Sequence, residues 1–98
     1  VYVVLLNFTA PLDQVDNFLP DHAAWLAEHY ASGDFLVSGR RHTRDGDVII
    51  VRAMSRGRLD AILACDPLAV RRLVHHEVLE FQASRTSPAL AAYAEPVK

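Results

Sequence analysis

Phe35-Leu36-Val37-Ser38-Gly39-Arg40, then Arg44-Asp45-Gly46-Asp47, then Val48-Ile49-Ile50-Val51 is the stretch that decides the fold. Phe35 to Arg40 reads as one strand and Val48 to Met54 as the next, on their β-branched and aromatic content. Asp45-Gly46 is a favoured pair for a tight reversal, and Arg41 to Arg44 lengthens the connection. The two strands are therefore antiparallel neighbours. Upstream, Pro20 to Ser32 has helical spacing of apolar residues, with Pro20 as a first-turn residue and Gly33 as the C-terminal cap. Before it, Val1 to Phe8 is a strand broken by Thr9-Ala10-Pro11, and Leu12 with Val15 suggests one helical turn. Downstream, Ser55 caps a helix from Arg56 to Cys65 whose buried stripe is Leu59, Ile62 and Leu63. Asp66-Pro67 caps and opens a further short helix, with Leu68, Val70, Leu73 and Val74 as its apolar contacts. Glu77 to Ser84 reads as the last strand, Leu79, Phe81 and Ala83 alternating against Val78, Glu80 and Gln82. Ser87-Pro88 starts a short terminal helix through Tyr93.

The order β-α-β-β-α-(α)-β-α is the split pattern of a ferredoxin-like α+β fold, with both main helices on one face of a four-stranded antiparallel sheet. Val1 to Phe8 and Val48 to Val51 are apolar on both faces, so the second face also needs cover. A second copy of the chain, sheet against sheet, supplies it, and a homodimer is expected.

A chain of 98 residues is one domain, and 51% apolar residues is too many for disorder. The net charge of −2 gives no basic footprint for nucleic acid; the cluster Arg40-Arg41-His42 with Arg44 reads as a solvated loop. No apolar run approaches the roughly 20 residues that span a membrane, and no signal segment opens the chain. An initiator Met is expected before Val1. Lone Cys65 forms no internal disulfide, fits a reducing compartment, and reads as a buried filler; a cytoplasmic location is expected.

His22 shares a helix face with Trp25, Leu26, His29 and Tyr30, so a group titrating near neutrality is turned toward the core. With the first strand running up, the first helix starts at the top edge of the sheet. The second strand ends there at Ser38-Gly39-Arg40, and the second helix ends there at Cys65-Asp66. Residues 22, 38 to 40 and 66 thus converge. A carboxylate on one imidazole nitrogen fixes the ring and leaves the other nitrogen to carry a proton. Ser38 adds a hydroxyl, Gly39 lets backbone approach a ligand, and Arg40 holds a substrate carboxylate. His22 and His29 lie two turns apart and His75-His76 alternate in direction, so no metal site is expected. Asp66 before Pro67 is also, by itself, an ordinary helix cap.

His22-x-x-Trp25-Leu26, Gly33 followed by Phe35-Leu36-Val37-Ser38-Gly39, the apolar third strand, Asp66-Pro67 and Glu77-Val78-x-Glu80-Phe81 together resemble the YCII-related (YciI-like) family over nearly the whole chain. The resemblance implies a dimeric α+β barrel in which His22 and Asp66 form the active site, working without an organic cofactor. It implies proton-transfer chemistry of the elimination or isomerisation type on a small organic substrate, anionic or aromatic. The alternative is a non-catalytic dimeric module that binds a small metabolite. One departure stands out: the family commonly has Pro after the Ser-Gly pair, and this chain has Arg40.

Overall fold

The computed structural model describes residues 1–96. Four strands, β1 (Tyr2–Phe8), β2 (Phe35–Arg40), β3 (Gly46–Val51) and β4 (Val74–Glu80), form one antiparallel sheet in the order β2-β3-β1-β4. Helices α1 (Leu12–Asp16), α2 (Leu19–Ala31), α3 (Arg56–Ala64) and α4 (Pro67–Val70) join them, and a 3-10 turn, Pro88–Tyr93, follows β4. This is the ferredoxin-like α+β arrangement that the element order predicts.

The helix-side face of the sheet carries the core. Tyr2, Val4 and Leu6 of β1 and Ile49 and Val51 of β3 pack with Trp25 of α2, Phe35 of β2, and Leu59 and Leu63 of α3. α3 begins as its cap predicts, the Ser55 hydroxyl accepting the Arg58 backbone N–H at 3.2 Å. α2 is capped at Ser32 and followed by Gly33, whose φ of +81° suits a residue without Cβ. A smaller cluster of Val15, Leu68 and Leu73 ties α1 to α4. The opposite face carries Val3, Leu5, Val48 and Ile50, with Val37 and Leu79 exposed.

Three expectations change. The last strand lies at Val74–Glu80, not Glu77–Ser84. α4 closes after one turn, Arg72 takes a left-handed φ of 58°, and the chain is redirected into pairing with β1 from Phe8↔Val74 to Tyr2↔Glu80. Val74, His76 and Val78 therefore face the helices, while Leu79 and Phe81 are exposed. The third strand starts at Gly46 and stops at Val51, because Gly46 already pairs with Asn7 of β1. Gly46 is also pressed against that strand: a Cβ there would collide with the Leu6 carbonyl. Cys65 is exposed and is no core filler. No helix among the described residues is long and apolar enough to cross a membrane.

Candidate active site

Strand register builds one wall of the site. Arg40 of β2 pairs with Asp47 of β3, Asp47 with Leu6 of β1, and Leu6 with His76 of β4. Side chains of directly paired residues lie on the same side of a sheet, so these four form one transverse row on the helix side. Above the row stands the first turn of α2 with His22, 3% exposed. Beside it is the N-terminus of α4, capped by Asp66, which is fully buried.

His22 lies between two carboxylates. Its Nδ1–H donates to Asp66 Oδ1 at 2.8 Å. Its Nε2 faces Asp47 Oδ2 at 3.4 Å, long for a hydrogen bond, and has no hydrogen-bond partner among the described residues. Asp66 Oδ1 also accepts the Leu68 backbone N–H at 3.0 Å, so the helix cap and the imidazole contact coexist on one oxygen. Asp66 Oδ2 is 3.8 Å from His76 Nε2. Burial disfavours the His22 cation, but the two flanking carboxylates, Asp47 and Asp66, outweigh it and raise its pKa from 6.5 to about 9. Burial likewise pushes Asp66 toward its neutral form, and His22, with His76 and the Leu68 N–H, reverses this and holds its pKa below the usual value. At neutral pH the ring is an imidazolium, a donor at both nitrogens.

The His22 side chain lines a cavity of ≈ 210 Å³ together with Leu26, Ser38, Gly39, Arg40, Asp47 and Ile49. Ser38 is hydrogen-bonded to the Tyr30 hydroxyl. Arg40 lies 3.7 Å from both Asp47 and Asp16, with its guanidinium over the Phe8 ring. Broader surface grooves elsewhere, of ≈ 590 and ≈ 640 Å³, do not touch His22. Among the described residues no group of three or more His, Cys, Asp or Glu side chains is placed to hold a metal ion.

Of the residues singled out from the sequence, His22, Ser38, Gly39 and Arg40 line the cavity. Asp66 sits behind His22, outside the cavity lining. Asp47 and His76 were missed. Asp47 looks like turn punctuation after Asp45-Gly46, yet Asp47, Ile49 and Val51 alternate with period two, and that signal marks it as an inward strand residue. His76, which the sequence shows only as alternating with His75, belongs to the site because β4 begins at Val74, three residues before the expected Glu77.

A ferredoxin-like domain carrying a buried imidazole–carboxylate pair behind a small cavity is the class that fold and site define. The chain belongs to the family of the YCII-related domain, whose model matches residues 1–82. Its fold is also similar to that of a solved structure, 5-chloro-2-hydroxyhydroquinone dehydrochlorinase from Burkholderia phenoliruptrix AC1100 in complex with 2,5-dihydroxybenzoquinone. The TM-score is 0.67 at 18% identity, over 83% of this chain and 93% of that one. No match is found among curated proteins.

Proposed function

We propose that this cavity is the active site of a small acid–base catalyst of the elimination or isomerisation type that needs no organic cofactor. The observation that carries the reading is His22: a buried imidazole among the residues lining a cavity, its Nε2 without a hydrogen-bond partner among the described residues. Buried polar groups are normally paired, and a ligand oxygen completes this one. His22 is the proton-transferring residue. Asp66 is a positioning residue that fixes the ring through Nδ1. Ser38, the backbone at Gly39, and Arg40 contact the oxygens of a small organic substrate. The volume of ≈ 210 Å³ suits a molecule near the size of one substituted ring. The substrate named for the dehydrochlorinase, a chlorinated hydroxyhydroquinone, is a reasonable first probe. The exposed apolar sheet face, with Val37 and Leu79, supports a homodimer formed sheet against sheet. A cytoplasmic location accords with the single, unpaired Cys65.

The test is a panel of chlorinated hydroxyhydroquinones and enolisable hydroxy- and oxo-acids in D2O, followed by chloride release and proton NMR. Turnover or deuterium incorporation by the wild type, absent in His22→Ala, supports the reading. Equal rates in both proteins overturn it. Thermal stabilisation by a panel member without turnover makes the protein a binding module instead; saturation at a hundred times Kd corresponds to about 2.7 kcal/mol.

A further inference from the structure

Two carboxylates flank His22, and they are not equivalent. Asp66 is fully buried, bonded to the Leu68 N–H and to Nδ1, and lies outside the cavity lining. Asp47 lines the cavity, 3.4 Å from Nε2. Arg40, its partner across the strand pair, lies 3.7 Å from the other carboxylate oxygen, Oδ1. A ligand in the cavity therefore meets Asp47 and the His22 ring together.

We infer that Asp47 is a second catalytic residue: Asp47 takes a proton from the ligand, and His22 gives one. This rests on the acid–base reading of the cavity and changes its division of labour, since an imidazolium serves as acid and leaves the role of base to a carboxylate. In an isomerisation, a ligand C–H or O–H proton moves to Asp47 Oδ2, and the electron pair it leaves shifts within the ligand. The Nε2 proton of His22 then goes to the atom that gains the charge. In an elimination, that electron pair expels the leaving group as an anion, which the His22 proton neutralises. Either way the site is left with protonated Asp47 and neutral His22. Passing the proton across the 3.4 Å gap restores the resting state with no further reactant. The substrate implied is one that carries its own labile proton beside an oxygen or leaving group.

The groups facing His22 are Asp47 from β3, Asp66 from the cap of α4, and, through those carboxylates, Arg40 of β2 and His76 of β4. Asp16 of α1 reaches the site only through Arg40, and Tyr30 of α2 only through Ser38.

The experiment follows the ring nitrogens of the 15N-histidine-labelled full chain by NMR across pH 4 to 10, in wild type, Asp47→Asn and Asp66→Asn. Asp47→Ser gives the same comparison if Asn disturbs the strand. The expected result is a fall of at least tenfold in His22 proton affinity without Asp47. An unchanged His22 titration overturns the inference whether or not the protein is an enzyme. On panel compounds turned over by the wild type, Asp47→Asn loses about 10²–10⁴ in rate, and Asp47→Glu recovers part. Wild-type rate in Asp47→Asn also overturns it. Wild type no faster than His22→Ala overturns the acid–base reading, and with it the catalytic role of Asp47.

Discussion

Raising the pH should unload His22 and destabilise the protein by a calculable amount. The folded-state pKa is about 9 against 6.5 for the free side chain. At 1.36 kcal/mol per pH unit this is about 3 kcal/mol of stability, an order-of-magnitude figure. Below pH 6.5 both folded and unfolded states hold the proton, and the contribution is fully present. Between 6.5 and about 9 only the folded state holds it, so stability falls with a limiting slope of about 1.4 kcal/mol per pH unit. Above that the contribution is gone. Asp66, with its lowered pKa, is the same ion pair seen from the acid side: its share is present above 3.8 and lost as pH falls through the folded value. The two shares are not summed. Urea unfolding at half-unit steps from pH 6 to 9.5 is the assay, with His22→Gln as the reference for every other titrating group. With a urea m-value of about 1.5 kcal/mol per molar, the wild-type midpoint should drop by about 2 M relative to the variant. Parallel curves for the two proteins across this range would show that the carboxylates do not hold His22 charged.

Other outcomes follow from single contacts. Gly46→Ala should lower stability by about 1–3 kcal/mol or more, because its Cβ meets the Leu6 carbonyl of the neighbouring strand; an unchanged denaturation midpoint would contradict that approach. Arg40→Ala should weaken binding of small carboxylates about tenfold while sparing neutral analogues, as removal of one charge-assisted contact predicts; calorimetry showing equal loss for both would remove Arg40 from ligand recognition. Ile50→Glu, on the open sheet face, should convert a dimer to a monomer in light scattering with unchanged far-ultraviolet dichroism; a wild type that is already monomeric at micromolar concentration would end the sheet-to-sheet proposal.

The hairpin, the flanking helices and the Ser55 and Asp66 caps were legible because each depends on local chemistry: a turn pair, a periodic stripe, a side-chain oxygen at a helix start. Topology then brought His22 and Asp66 to one edge, since strand and helix directions alone decide which ends meet. The last strand was misplaced because its start is set by pairing with Tyr2–Phe8 and by the left-handed turn at Arg72, neither of which leaves a mark on local periodicity. Asp47 was overlooked for a related reason. Its turn-like composition is local, whereas its position beside His22 is a matter of sheet register. His76 shows the same dependence at longer range.

The transverse row Arg40, Asp47, Leu6 and His76 divides the labour of each strand by residue parity. Ser38 and Asp47 turn toward the cavity, while their neighbours Val37 and Val48 turn to the far surface. Cavity and open apolar face are thus written on alternate letters of the same strands, separated by one sheet thickness. Substitutions at Val37, Val48 or Ile50 alter the open face without touching the cavity lining, and substitutions at Ser38 or Asp47 alter the cavity without changing the outer surface. A one-residue slip of any strand would exchange the two texts, placing charge against the far surface and aliphatic side chains in the cavity. Loss of the Asp47–His22 contact is therefore also a sensitive reporter of misregistered folding.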